Sequence, residues 1–247
     1  MKTRAAVLHE MGAKKPYKES KPLKIEYLEL DNPSEHEVLI KIHAAGLCHS
    51  DLSVINGNRP RPLPMALGHE ASGEVIKVGK AVTRVSEGDH VVCTFIPSCG
   101  KCIPCKEGRP ALCENGAISN EKGEMLEGGM RLSNDEGKVY HHLGISGFAE
   151  YSVVSENSIV KIDKKIPFER AAAFGCAIIT GIGAVVNTAQ IRSGSNVAVV
   201  GLGGIGLNAI IGAKLAGANE IIALDINEDK FELAKQFRSE ERRVGKE

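Results

Sequence analysis

Four thiols fall within fifteen positions in the run Cys99-Gly-Lys-Cys102-Ile-Pro-Cys105, closed by Cys113. No other stretch so narrows what this chain can fold into. The spacing C-x2-C-x2-C-x7-C suits tetrahedral zinc, because two-residue gaps let tight turns aim successive sulfurs at one point. Gly100, Pro104, Gly108 and Pro110 are the turn residues of a loop that folds around a metal rather than a core. Lys101, Lys106 and Arg109 offset the charge of four thiolates. The alternative is two disulfides or four unrelated thiols. A four-sulfur shell is closed, so its zinc is structural and any chemistry must be sought elsewhere.

The 247 residues allow one large domain or two of ordinary size. With 43% hydrophobic and 25% charged residues, the chain can bury a sizeable core. Lys plus Arg and Asp plus Glu both number 31, which argues against nucleic acid or an anionic membrane as the partner. The N-terminus has no apolar run of signal-peptide length, and no stretch approaches the ~20 apolar residues of a membrane span. The expected location is the cytoplasm, where seven cysteines point to metal ligands rather than bridges.

Short segments rich in branched residues predict strands over 4–8, 23–30, 37–44, 73–79 and 90–95, and a barrel-like β domain. Within it lies a second set: Gly46-Leu-Cys48-His49-Ser50-Asp51, then Gly68-His69-Glu70, and far downstream Gly175-Cys176. No pair here has tight metal spacing, and each residue alone is equally a buried thiol or a core histidine. Together, two thiolates and an imidazole make the Cys2His set of an open catalytic zinc. From Asn115 to Gly147 periodicity is lost, which predicts a functional lobe or lid. His141 and His142 are expected to be solvated there rather than metal-bound. Strands resume over 148–154 and 158–162, and helices are predicted over 168–174 and 178–189.

Val197-Ala-Val-Val200 then forms an apolar strand, followed at once by Gly201-Leu-Gly203-Gly204-Ile-Gly206 and a helix through Leu215. A second strand, 221–224, ends in Asp225, nineteen positions beyond Gly206. Strand, glycine turn, helix and acidic residue together form the dinucleotide fingerprint. Phosphates would meet helix-terminal N–H groups, and Asp225 would hold the ribose hydroxyls of NAD.

These residues resemble the zinc-dependent medium-chain alcohol dehydrogenases, over Met1 to about Phe237 and closest to the class III-like and aryl-alcohol branch. The resemblance implies an α/β protein with a β-rich, GroES-like catalytic domain (1–176) and the N-terminal part of a Rossmann domain (177–237). It implies two zincs per chain and NAD. Cys48, His69 and Cys176 match the catalytic zinc ligands, with Glu70 as an acidic neighbour able to approach the metal. Cys99, Cys102, Cys105 and Cys113 match the structural set, leaving Cys93 as a buried thiol. Ser50 matches the hydroxyl that takes the alcohol proton, His49 a pyrophosphate contact, and Asp51 the carboxylate that orients the histidine ligand. Ser53 replaces the histidine that ends the proton relay in animal members. Gly201, Gly203, Gly204, Gly206, Asp225 and Lys230 match cofactor positions, and Phe95 and Leu143 line the substrate pocket. The implied reaction moves a hydride between a small alcohol and NAD, in a family whose full-length members are homo-oligomers. A zinc-stabilised binding protein is the rival from another class, and a zinc-free quinone reductase the rival within the superfamily.

The last ten residues, Arg238 to Glu247, depart from the family: eight are polar or charged. They are expected to replace the rest of the nucleotide domain with a charged tail that supplies no core strand. The Val197 strand would then become an exposed edge, and the chain would bind zinc but turn over alcohol poorly.

Overall fold

The computed structural model describes residues 1–237 and the backbone of 240–243. The chain divides into two compact units, Met1–Gly175 and Cys176–Glu247.

In chain order, the strands of the first unit are β1 (Lys2–Leu8), β2 (Leu23–Leu30), β3 (Glu37–Gly46), β4 (Met65–Ala66), β5 (Glu70–Val78), β6 (His90–Cys93), β7 (Leu132–Asn134), β8 (Gly137–His141), β9 (Tyr151–Ser155) and β10 (Ile159–Lys161). Two sheets result: a closed barrel β1-β2-β7-β8-β4 and an antiparallel sheet β10-β6-β5-β3-β9.

The apolar run at the start of β3 serves two cores. Val38 and Ile40 enter the cluster with Val75, Val91 and Ile145, while Leu39 between them enters the barrel cluster with Val7, Leu28 and Leu132. On β9, Val153 and Val154 divide in the same way. A strand buried on both faces is apolar at consecutive positions, so the strict alternation of a half-buried strand fails here. Further along, β3 shifts register against β5 between Ile42 and Ala44, and its last pair is Gly46 with Glu70. Bulges bend a strand, and this one delivers the chain to Cys48.

The segment 115–147, expected as a lobe or lid, contains regular structure. Glu114–Lys122 is a helix, and β7 and β8 form a hairpin that closes the barrel against β2 and β4. Arg131 anchors the hairpin to β3: its Nε and Nη2 donate to the two carboxylate oxygens of the buried Glu37 at 2.8 and 2.9 Å. Polar residues hid this hairpin because only one of its faces is buried.

The second unit holds β11 (Asn196–Val200), β12 (Glu220–Asp225) and β13 (Glu240–Arg243), all parallel and in that order. Gly204–Leu215 is the helix between β11 and β12, and Ile210 and Ala213 pack on Val199, Ile221 and Ala223. Part of the tail forms an edge strand: Glu240 to Arg243 pair with Ile222 to Asp225. Ladder hydrogen bonds come from the backbone, so a charged segment can add to a sheet edge. Positions 238–239 and 244–247 of that tail lie outside the described residues. Among the described residues β11 is an edge strand, and Val200 is 79% exposed.

Candidate metal centres and cofactor cradle

The four-cysteine loop converges as the spacing predicts. The Sγ atoms of Cys99, Cys102, Cys105 and Cys113 lie within 4.8 Å of one another, and none is in a disulfide. Cys102 and Cys113 sulfurs are 3.8 Å apart. Zn–S bonds of about 2.3 Å give a tetrahedron edge of about 3.8 Å, whereas a disulfide would bring sulfurs to about 2.05 Å. Backbone N–H groups already point at the sulfurs: Lys101 and Cys102 donate to Cys99 Sγ at 3.4 Å, and Cys99 and Gly116 to Cys113 Sγ at 3.3 Å. The Lys101 N–H pulls the Cys99 thiol down to about 6, while burial and the Cys102 thiol push Cys105 up to about 12. Crowded thiolates raise one another's pKa, so four can coexist only around a cation. The donor set fits zinc.

The second set is built at the end of β3. Cys48 is the N-cap of the helix His49–Ile55, and its N–H donates to Asp51 Oδ2 at 3.3 Å. Just before β5, the Gly68 N–H donates to Asp51 Oδ1 at 3.0 Å, and His69 Nδ1 approaches both Asp51 oxygens at 3.3 Å. With Nδ1 so engaged, Nε2 is the His69 nitrogen turned to ligate a metal. Ligand atoms of Cys48, His69 and Glu70 lie within 4.8 Å of one another. Gly68 is required on two counts: its φ is +92°, and a Cβ there would strike the Phe148 backbone and ring.

Two buried imidazoles complete this region, correcting the expectation that His141 and His142 are solvated. Both have zero exposure. His141 is structural: Nε2 accepts from the Arg131 N–H at 3.0 Å, and Nδ1 pairs with Ser146 Oγ at 3.1 Å. Burial, then Arg131, push its pKa down to about 3. His142 Nδ1 lies 2.9 Å from Asp51 Oδ1, within ion-pair distance but poorly aligned for a hydrogen bond, and its Nε2 has no partner. Burial alone would raise the Asp51 carboxyl, but His142 and His69 outweigh it and hold it well below the usual range. Burial opposes the rise of His69, yet Asp51 and Cys48 raise it to about 9. No local signal marks His142 as a neighbour of Asp51, because 91 positions separate them.

Among the other expected site residues, Ser50 Oγ lies 3.6 Å from Cys48 Sγ. His49 is exposed, and the Ser53 hydroxyl is tied back to His49 O at 2.9 Å. The Phe95 ring stands edge-on to His69 with centroids 6.3 Å apart. Leu143 is buried with φ +54°. Cys93 is fully buried, and its thiol is pushed up to about 12 by desolvation. Gly175 closes the first unit with its Cα against the Cys93 carbonyl, and Cys176 follows one peptide bond later as the N-cap of Ala177–Gly183.

In the second unit, Gly201 (φ +93°) turns the chain out of β11. A Cβ at Gly206 would strike the Gly201 carbonyl, so the helix can approach only with glycine there. A Cβ at Gly203 would meet nothing within 4 Å, and Gly203 provides no side-chain cap for the helix Gly204–Leu215. Open space beside uncapped first-turn N–H groups fits a dinucleotide phosphate. Asp225 accepts from Leu202 N–H at 2.7 Å, Asn227 N–H at 2.9 Å and Lys230 Nζ at 2.9 Å. The Leu202 N–H foremost, then Lys230, hold its carboxyl well below the usual range.

The barrel, the two cysteine sets and the βαβ unit define the chain's class: it belongs to the family of the alcohol dehydrogenase GroES-like domain, whose model matches residues 34–164. It is 47% identical over 218 residues to alcohol dehydrogenase class-3 of Drosophila melanogaster, covering 88% of this chain and 58% of that one. It is 45% identical over 238 residues to S-(hydroxymethyl)glutathione dehydrogenase of Synechocystis, covering 96% and 62%. Among solved structures, benzyl alcohol dehydrogenase from Acinetobacter calcoaceticus superposes with a TM-score of 0.88 at 37% identity, covering 98% of this chain and 64% of that one. The chain thus spans about three fifths of the length of the relatives it matches (58%, 62% and 64%).

Proposed function

We propose that this chain serves the interconversion of a small primary or secondary alcohol and its aldehyde or ketone, with zinc and NAD. The observation that carries the reading is the pair of donor sets, one closed by four thiolates and one, around Cys48 and His69, that four thiolates do not close. Cys48, His69 and Cys176 are assigned to a catalytic zinc, with Glu70 beside them, and the four-cysteine loop to a structural zinc.

When bound, the catalytic zinc supplies Lewis acidity that lowers the pKa of an alcohol, and NAD accepts the hydride. The chain's own residues do the rest. Asp51 orients the His69 imidazole through Nδ1. Ser50 Oγ, close to Cys48, holds the alcohol proton and passes it on. Ser53 is engaged with its own helix, so that proton leaves to solvent rather than to a histidine at that position. Phe95 and Leu143 exclude water from the reacting carbon. On the second unit, the first-turn N–H groups after Gly203 hold the pyrophosphate. Asp225 and Lys230 receive the adenosine ribose.

Metal analysis of the purified chain tests this: two zincs per chain are expected, falling to one in Cys48→Ser. One zinc in the unaltered chain would favour a zinc-stabilised binding protein. NADH formation from a panel of small alcohols, benzyl alcohol included, tests the reaction itself.

A further inference from the structure

His142 has no role in the scheme above, yet it sits on the carboxylate that orients a proposed metal ligand. Its ring lies edge-on to His69, 5.3 Å between centroids at 85°. Asp51 is almost fully buried and surrounded by four nitrogens: the N–H groups of Cys48 and Gly68, which donate to it, and the His69 and His142 Nδ1 atoms. Of these contacts the closest is His142 Nδ1, at 2.9 Å from Oδ1. The Cys48 N–H holds Oδ2 at 3.3 Å and the Gly68 N–H holds Oδ1 at 3.0 Å, while His69 is equidistant from both oxygens at 3.3 Å and does not choose between them. His142, the residue that follows β8, adds the closest approach to Oδ1.

We propose that His142 is a positioning residue for the metal centre: by contacting Asp51 Oδ1 it sets the carboxylate plane and, through it, the orientation of the His69 imidazole. The inference rests on the reading that Cys48 and His69 bind a metal. Outer-shell partners of a ligating histidine change metal affinity by roughly 10–100-fold. His142→Phe removes the contact while retaining bulk. His142→Asn restores a donor near the position of Nδ1.

The experiment measures zinc affinity at the Cys48 centre by competition with a chromogenic chelator, and the visible ligand-field spectrum after cobalt substitution. His142→Phe is expected to weaken that site by roughly 10–100-fold and shift its cobalt bands, leaving the four-thiolate site unchanged. His142→Asn is expected to restore both. Unchanged affinity and spectrum in His142→Phe overturn the inference, as does His142→Asn behaving like His142→Phe. If His142→Phe does not fold, His142→Ala decides by the same two readouts: a weakened site with shifted cobalt bands supports the inference, and unchanged affinity and spectrum overturn it. Should the unaltered chain bind only the four-thiolate zinc, the functional reading itself fails, which is a different result from an intact second site indifferent to His142.

Discussion

The Gly68 N–H donates to Asp51 Oδ1 at 3.0 Å, so the backbone just before His69 and the His69 side chain rest on the same carboxylate. Replacing Asp51 therefore disturbs both the loop and the ligand. Asp51→Ala leaves buried donors without an acceptor and is expected to lose roughly 3–5 kcal/mol of stability. Denaturant titration of the metal-free chain checks this separately from zinc binding. A loss below about 0.5 kcal/mol, the range of an ordinary surface change, would refute it.

Gly68 itself tolerates no side chain. Gly68→Ala places a Cβ at positive φ against the Phe148 backbone and ring, and a loss of at least about 2 kcal/mol is expected. A urea midpoint equal to that of the unaltered chain would be the contrary result.

The thiolate loop should depend on its zinc. Cys113→Ser is expected to remove one zinc per chain and to speed amide exchange at Lys101, Cys102 and Gly116, whose N–H groups donate to cysteine sulfurs. Exchange in β11 and β12, in the other unit, should not change. Retention of both zincs would show that Cys113 is not a ligand.

His141 makes stability fall with acid. Its folded pKa is pushed down to about 3, while the unfolded chain binds a proton at about 6.5. Between those values the unfolded state holds one more proton, so this contribution is fully present above about pH 6.5 and is lost as pH falls, with a slope of up to about 1.4 kcal/mol per pH unit. His141→Gln keeps an acceptor for the Arg131 N–H and cannot titrate. Unfolding free energies between pH 6.5 and 4.5 should therefore fall less steeply in the variant. Equal slopes would count against a neutral buried His141.

The two-faced burial of β3 predicts a contrast with the exposed face of β2. Ile40, fully buried, should cost about 2–5 kcal/mol as Ile40→Ala. Ile25 on β2 is 67% exposed, and Ile25→Ala should change stability by no more than about 0.5 kcal/mol. Thermal melts of the two variants compare them directly.

The strand over 23–30 was legible from its composition, and Leu23–Leu30 is β2. The hairpin at 132–141 was not, because Asn134, Gly137 and Lys138 look like loop residues until Arg131 is seen on Glu37 and Val139 in the barrel core. His141 and His142 were misplaced for the same reason: flanking polarity described the loop's outer face and not the seam beneath it.

Local chemistry decided what the sequence alone could determine. Cys99, Cys102 and Cys105 converge because tight turns close the two-residue gaps, and Gly201 and Gly206 are glycine because a positive φ and the close approach of helix to strand require it, so both were visible as spacing. The arrangement around Asp51 was not local. Cys48 comes from the end of β3, His69 from the turn before β5 and His142 from the end of β8, and nothing in their separations along the chain encodes one carboxylate held by all three. Only the closing of the barrel and the register of β3 against β5 brought them together, because side chains far apart in sequence meet only where packed strands carry them.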